Sequence, residues 1–117
     1  MQNDLSKRLF SFSINTINFL RTLPRSEEYS VIKYQLIKSA TSAGANYEEA
    51  QAGTSRADFH NKVRISLKEM RESNYWLRIL SEIIIGKIDK SVLAHLTEES
   101  LELNRILGSI VSKINDK

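Results

Sequence analysis

Residues 34–53 read YQLIKSATSAGANYEEAQAG, and the spacing within this stretch decides the fold. Polar side chains recur there at alternating steps of four and three residues, which places them on one face of an α-helix. They are Gln35, Ser39, Ser42, Asn46 and Glu49. A separate apolar stripe of the same helix contains Ile32, Leu36, Ala43, Tyr47 and Ala50. Solvated helix faces usually carry Lys and Glu, so this largely uncharged row predicts a helix packed against protein on more than one side.

The rest of the chain is also predicted to be helical. Its 117 residues include only four glycines and one proline, so few turns separate long elements. Apolar spacing and capping residues predict helices over about 4–22, 27–52, 56–85 and 89–114. Ser26, Ser55 and Asp89 are the expected N-caps, and Gly53 and Gly86 are the expected C′ residues. The fold class is therefore all-α, an antiparallel up-down-up-down four-helix bundle formed by one domain over residues 1–117.

The composition bounds the class of protein. Hydrophobic residues make up 41% of the chain and charged residues 26%, which is typical of a soluble globular domain. The absence of cysteine excludes disulfides and thiolate metal sites and is compatible with the reducing cytosol. No apolar run approaches the roughly 20 residues of a membrane span, and the N-terminus has no secretion-signal pattern. We therefore expect a cytoplasmic protein without a membrane partner.

Residues suited to catalysis are sparse. The histidines are His60 and His95, on different predicted helices, and no Glu-x-x-His or His-Glu-x-x-His motif accompanies them. The sequence has no glycine-rich phosphate loop, and no Ser or Thr has an evident neighbouring base. Glu48, Glu49 and Glu69 would be the general acids of a third class of function, an enzyme with carboxylates in a bundle cavity. We predict instead a protein that is not an enzyme and holds no metal and no cofactor.

A basic row on the third predicted helix is the clearest functional pattern. Arg64, Lys68, Arg71, Tyr75 and Arg78 alternate by four and three residues and therefore share one face. Four cations with an aromatic side chain among them suit a phosphate backbone, and the tyrosine is available for base stacking. The formal net charge of +3 permits an RNA or DNA partner without requiring one.

The basic row also has a purely structural interpretation. Opposite charges stand four residues apart at Asp58 and Lys62, Lys68 and Glu72, and Arg78 and Glu82. Such pairs are typical of a solvated helix. The fourth helix carries an acidic patch, Glu98, Glu99 and Glu102, which a neighbouring subunit's basic row would complement in a symmetric oligomer. The sequence leaves both interpretations open.

The polar row on the second helix has a counterpart on the third, where Ser66, Glu69 and Ser73 follow the same alternation. An ion pair between Lys38 and Glu69 would satisfy two charges that are costly to bury alone. We define the polar seam as Gln35, Lys38, Ser39, Ser42, Asn46, Glu49, Ser66 and Glu69. We interpret it mainly as a hydrogen-bonded packing or subunit-contact surface.

At these residues the chain resembles the bacterial four-helix-bundle proteins of 23S ribosomal RNA intervening sequences, also labelled S23 ribosomal proteins. The family motif is Gln-x-x-Arg-Ser-Ala-x-Ser, then Asn, an acidic-Gly pair, a basic-Ser/Phe stretch and a Glu on the third helix. The matching residues are Gln35, Ser39, Ala40, Ser42, Asn46, Glu49, Ser55, Phe59, Ser66 and Glu69. Lys38 replaces the Arg, keeping the charge without the bidentate fork, and Ala50 replaces the Gly.

The resemblance implies a left-handed antiparallel bundle that assembles as a homopentamer. It also implies kinship with the accessory variability protein of diversity-generating retroelements, a basic pentamer thought to bind nucleic acid and the reverse transcriptase. A reverse transcriptase is accordingly an expected partner if this chain is linked to a retroelement.

An oligomer also agrees with the first predicted helix, whose apolar residues cover more than half of its circumference. These residues are Leu5, Leu9, Phe10, Phe12, Ile14, Ile17, Phe19 and Leu20. We therefore expect a non-enzymatic oligomeric bundle that binds RNA or DNA through the basic row. The alternative is a protein–protein adaptor or scaffold without a nucleic-acid role.

Overall fold

Four helices account for most of the chain in the computed structural model, which describes residues 2–53 and 55–115. They are α1 (Gln2–Leu20), α2 (Glu27–Gln51), α3 (Arg56–Ile83) and α4 (Lys90–Asn115). α2 packs against α1 and α3, and α4 packs against α3 and α1, in a bundle of 49 × 20 × 20 Å. The described residues contain no β-strand, so the prediction of an all-α four-helix fold is confirmed.

Serine side chains cap α2 and α3 at the predicted positions. Ser26 has extended backbone, and its hydroxyl accepts a hydrogen bond of 3.1 Å from the N–H of Tyr29. Ser55 is also extended and accepts a bond of 3.0 Å from the N–H of Asp58. Each bond satisfies a backbone donor that has no partner within the first turn of its helix.

An aspartate caps α4, also as predicted. One carboxylate oxygen of Asp89 accepts hydrogen bonds from the backbone N–H groups of Ser91 (3.0 Å) and Val92 (3.2 Å) and from the Ser91 hydroxyl (2.6 Å). These bonds, the hydroxyl bond first among them, hold the pKa of Asp89 below its ordinary value. The cap therefore favours the ionised carboxylate.

The C-terminal ends of two helices differ from the prediction. α1 ends at Leu20 because the next turn tightens, with the N–H groups of Thr22 and Leu23 bonding to carbonyls three residues back. α3 ends at Ile83, and Gly86 is not its C′ residue, so that prediction was wrong. Ile84 turns to extended backbone (φ −67°, ψ 141°) and buries its side chain, while Gly86 adopts φ +84° farther along the loop.

Apolar side chains from all four helices fill the bundle interior. The predicted stripe of α2, from Ile32 to Ala50, is buried throughout. The apolar stripes of α3 and α4 are buried along most of their length, with Phe59, Ile110 and Ile114 half-buried near one end. Exclusion of these side chains from water is the dominant contribution to the stability of the fold.

A side-chain hydrogen bond or ion pair joins every pair of helices that pack together. The contacts are Ser13 Oγ to the Ala40 carbonyl (3.0 Å), Ser39 Oγ to Ser73 Oγ (2.7 Å), Ser66 Oγ to the Ala43 carbonyl (2.7 Å), Asn74 Nδ2 to Ser100 Oγ (2.9 Å), and Arg8 to Glu99 (2.7 Å). All but the last are buried. A buried polar group without a partner is costly, so these contacts favour one axial position of each helix relative to its neighbour.

The outer side of α1 is apolar where it meets α2. Phe10 is 62% exposed and Ile14 is 44% exposed. They border a surface groove lined by Phe10, Ser13, Ile14, Ile17, Thr41, Gly44, Ala45 and Glu48. The small side chains on α2 form the floor of this groove.

No helix in residues 2–53 and 55–115 is both long and apolar enough to cross a membrane.

Candidate nucleic-acid interface

The basic row lies on the exposed side of α3. Arg64, Lys68, Arg71, Tyr75 and Arg78 are all exposed. Between its first and last residues the row extends roughly 21 Å along the helix axis, at 1.5 Å per residue. A single uninterrupted helix therefore presents all five side chains, as the spacing predicts.

The opposite charges on α3 do not form the pairs that a simple solvated face would contain. Glu72 accepts a bond of 3.2 Å from the indole N–H of Trp76, and Arg78 donates one of 2.9 Å from Nε to the side-chain oxygen of Asn74. Among the described residues, no ion pair joins Lys68 to Glu72 or Arg78 to Glu82. Lys68 and Arg78 therefore form no salt bridge with a carboxylate of their own helix.

The aromatic residue of the row is held in place from two sides. The rings of Tyr75 and Trp76 meet edge to face, with centroids 5.2 Å apart and planes at 74°. The guanidinium carbon of Arg78 lies 5.7 Å from the centroid of the Tyr75 ring, within cation–π distance. Tyr75 nevertheless remains 48% exposed.

The three glutamates of the acidic patch on α4 differ in their contacts. Both oxygens of Glu99 accept hydrogen bonds from Arg8 on α1, at 2.7 and 3.1 Å, and this bidentate bond raises the pKa of Arg8. Glu99 also lines a cleft of about 240 Å³ between α1 and α4, near His95. Glu98 and Glu102 are exposed, and Glu102 lies 3.4 Å from Arg105. The most buried acid of the patch therefore serves contact between α1 and α4.

The polar seam separates into an inner and an outer part. Ser39 and Ser66 are fully buried between α2 and α3, where Ser39 bonds to Ser73 and Ser66 to the Ala43 carbonyl. Their role in helix packing follows directly from these contacts.

The outer part of the seam lies at the surface. Gln35, Ser42, Asn46 and Glu69 are half-buried, and Lys38 and Glu49 are exposed. Asn46 bonds within its own helix to the carbonyl (2.9 Å) and hydroxyl (3.1 Å) of Ser42. In the described part of the chain Lys38 and Glu69 form no ion pair. The anticipated pairing is absent because Lys38 extends into solvent, where its charge needs no protein partner.

Comparison with known proteins places this bundle in a family. A family model for 23S rRNA-intervening sequence proteins matches residues 1–109. The chain belongs to that family. A solved structure of a protein of unknown function from the S23 ribosomal protein family of Bacteroides thetaiotaomicron is similar, with a TM-score of 0.80 and 34% identity. The similarity covers 95% of this chain and 97% of that one. No curated protein matches the sequence.

The two histidines of this family member lie on different helices. His60 is half-buried beside the ring of Phe59 on α3, and His95 is exposed on α4. Within residues 2–53 and 55–115, no group of three or more His, Asp or Glu side chains is arranged to hold a metal.

Several polar contacts of this family member were not predicted from its sequence. Asn74 and Ser100 bond across α3 and α4, and Ser13 bonds from α1 to α2. A signal was available, because Asn74 lies between Met70 and Leu77 in the apolar stripe of α3. A polar residue in a core stripe indicates a buried hydrogen bond, although not its partner.

Proposed function

We propose that this protein is a non-enzymatic, homopentameric bundle of the 23S rRNA-intervening sequence family that binds RNA or DNA through the basic row of α3. The observation that carries the nucleic-acid part is the pair of cations, Lys68 and Arg78, left without salt bridges beside the exposed ring of Tyr75. Cations on one straight face bind phosphates without regard to sequence.

Within the proposal, the helices run up-down-up-down in a left-handed bundle. Contacts between α1 and α2 support opposite directions, because Ser13 meets Ala40 while the earlier residue Leu9 lies beside the later Gly44. Between α2 and α3, Ser39 meets Ser73 and Ala43 meets Ser66, again in opposite order.

Charge reversal on the basic row tests nucleic-acid binding. The triple variant Arg64→Glu, Lys68→Glu, Arg71→Glu should weaken binding of a fluorescently labelled structured RNA, measured by anisotropy at several salt concentrations. The slope of log affinity against log salt should become shallower by about one for each phosphate that the variant no longer binds.

A matched control carries the same change of net charge elsewhere. The variant Lys7→Glu, Arg25→Glu, Lys87→Glu alters three exposed cations outside α3 and should retain most of the affinity. Equal weakening by both triple variants would show that net charge, and not the row, attracts the RNA. Wild-type affinity no better than millimolar at low salt would end the nucleic-acid proposal.

The homo-oligomer in this proposal is supported by the α1–α2 groove. Phe10 and Ile14 expose apolar side chains next to a floor of small residues, and a second copy of this chain is the occupant we propose. Light scattering after size exclusion should give a mass five times the 13.4 kDa of one chain.

Groove variants locate the interface. Ile14→Glu should shift the mass towards that of one chain while helical circular dichroism persists. Ile85→Glu is the matched control, because Ile85 is 79% exposed in the α3–α4 loop and outside the groove. A wild-type chain that is monomeric at micromolar concentration would contradict the oligomer.

The acidic patch favours one second candidate, a scaffold without a nucleic-acid role. Glu98 and Glu102 are exposed, so a neighbouring subunit's basic row would find opposite charge on α4. In that case reversal of Lys68 and Arg71 would lower the oligomer mass, and added Glu98→Lys and Glu102→Lys would restore it. A reverse transcriptase is a further proposed partner if the gene adjoins a retroelement, which its genomic neighbourhood decides.

A further inference from the structure

Tyr75 occupies the position in the basic row at which a nucleobase would meet the protein. Arg71 precedes it by four residues and Arg78 follows it by three, so both cations are its neighbours on the helix surface. A nucleotide whose base lay on the Tyr75 ring would therefore have its flanking phosphates within reach of guanidinium groups on both sides.

A series of hydrogen bonds fixes this arrangement to the bundle interior. Ser100 on α4 accepts a bond of 2.9 Å from the buried Asn74 amide, and the Asn74 oxygen accepts one of 2.9 Å from Nε of Arg78. The Arg78 guanidinium carbon then lies 5.7 Å from the centroid of the Tyr75 ring. The neighbouring Trp76 is held by its bond to Glu72, and its ring lies at 74° to the Tyr75 ring, with centroids 5.2 Å apart.

Tyr75, with Arg71 and Arg78 beside it, therefore forms a platform that can stack a base without rearranging its side chains. Arg78 engages one face of the Tyr75 ring, and the ring is 48% exposed. Ordering a flexible side chain on binding costs free energy, and here that cost has been met during folding. The exposed part of the Tyr75 ring is left to accept one base per chain.

Base pairing decides which nucleic acid can use this platform. In a duplex each base is covered by its neighbours in the stack, whereas an unpaired base can turn out and stack on an aromatic side chain. A row that bound phosphates alone would favour duplex, because duplex carries the higher charge density and releases more counterions.

We infer that the preferred ligand is an unpaired, single-stranded segment of nucleic acid, with one base stacked on Tyr75 between the phosphate contacts of Arg71 and Arg78. The inference rests on the proposed function of the basic row and narrows its substrate class. It assigns Tyr75 to base stacking and the flanking cations to the backbone.

The test compares a short oligothymidylate with the duplex formed when it is annealed to oligoadenylate, both fluorescently labelled and at the same salt concentration. The oligothymidylate should bind more tightly. Tyr75→Ala should weaken oligothymidylate binding about 5- to 150-fold, since stacking contributes roughly 1–3 kcal/mol per base, and should leave duplex binding nearly unchanged. Tyr75→Phe keeps the ring and should retain the wild-type preference.

An internal reporter adds an independent measurement on the unaltered protein. Trp76 is the single tryptophan of the chain and touches Tyr75, so oligothymidylate should change its fluorescence and duplex should not. Tyr75→Leu keeps an apolar side chain at this exposed site without a π face, so it should weaken oligothymidylate binding as much as Tyr75→Ala does. Circular dichroism checks that both variants are folded.

The outcomes separate this inference from the proposal beneath it. If duplex binds as tightly as single strand and Tyr75→Ala changes neither, while the row reversal weakens both, the stacking inference is wrong and the basic row still binds nucleic acid. If neither probe binds, both fail.

Discussion

Arg8 on α1 and Glu99 on α4 form a bidentate ion pair, with Nη2 2.7 Å from Oε1 and Nε 3.1 Å from Oε2. The two residues are 91 positions apart and join the helices that pack least extensively in the bundle. The pair therefore adds a charged contact at the interface where two helices pack least extensively.

Neutralising this pair should cost little stability, and that cost should depend on salt. Glu99→Gln should lower the free energy of unfolding by up to about 1 kcal/mol, because the Arg8 side chain is partly exposed and solvent weakens the attraction. Urea denaturation at low and high salt measures the effect, which should shrink at high salt. Glu102→Gln alters the more exposed pair with Arg105 and should have no measurable effect. Equal losses for the two variants would contradict a special role for Arg8 and Glu99.

The hydroxyl groups of Ser39 and Ser73 should be energetically coupled. Their oxygens lie 2.7 Å apart inside the bundle, so the double-mutant cycle of Ser39→Ala and Ser73→Ala should give a coupling of about 1 kcal/mol. Thermal or urea unfolding of the four proteins provides the measurement. Ser42→Ala with Ser73→Ala is the control cycle, and its effects should be additive. Additivity in both cycles would mean that the inner seam does not bond as described.

Replacing one buried hydroxyl should stabilise the fold. Thr16 is fully buried, and within the described residues its hydroxyl has no hydrogen-bond partner. Thr16→Val preserves the shape and removes the unmet polar group, which should raise the free energy of unfolding by about 1 kcal/mol. Thr22→Val is the comparison, because Thr22 is exposed and bonds to the Phe19 carbonyl, so its effect should stay within about 0.5 kcal/mol of zero. A loss of stability in Thr16→Val would indicate that a buried water bonds to this hydroxyl.

Gly44 in the middle of α2 should tolerate alanine. A Cβ at this position would lie 3.6 Å from Cβ of Leu9, which is ordinary contact. Gly44→Ala should therefore raise the free energy of unfolding by up to about 1 kcal/mol through helix propensity, as measured by differential scanning calorimetry. Gly108→Ala in α4 is matched, since nothing lies within 4 Å of its added Cβ, and should show a similar gain. A loss confined to Gly44→Ala would mean that the added methyl group is not accommodated, either against Leu9 or against the second copy proposed to occupy the groove.

The Asp89 cap should make stability depend on pH in acid. The pKa of Asp89 is lowered in the folded state by the Ser91 hydroxyl and the Val92 N–H, so the ionised cap contributes its stabilisation above the unfolded-state value of about 3.9. That contribution should be lost as pH falls through the lower folded-state pKa. Asp89→Asn retains an acceptor without the charge and should show a flatter melting temperature below about pH 4. Parallel pH profiles for the two proteins would rule out the cap as the cause.

The features that local sequence could predict are those set within one helix. The polar and apolar rows of α2 follow from a period of about 3.6 residues, and the caps at Ser26 and Ser55 follow from bonds that close within three residues. The shared exposed face of the basic row is equally local, since Arg64 to Arg78 lie on one uninterrupted helix.

The features that sequence could not predict depend on how helices meet. Periodicity shows which helix face carries Lys38 and Glu69, but not their positions along the helix axes or their exposure to solvent. The sequence therefore suggested an ion pair between them and did not reveal the bond between Ser39 and Ser73. The end of α3 was misplaced because burial of Ile84 in the core outweighs the preference of Gly86 for helix ends. The absence of salt bridges at Lys68 and Arg78 could not be predicted either. Trp76 bonds to Glu72, the expected partner of Lys68, and Arg78 itself bonds to Asn74.

The polar contacts between neighbouring helices have a consequence for insertions and deletions. One residue inserted in α2 between Ser39 and Ala43 would rotate these two positions by about 100° relative to each other, so the Ser39–Ser73 and Ala43–Ser66 bonds could no longer form together. One residue inserted in the α1–α2 connection would disturb neither bond. Length variation among relatives should therefore concentrate in residues 21–26, 52–55 and 84–89, while the helices between them keep a constant count.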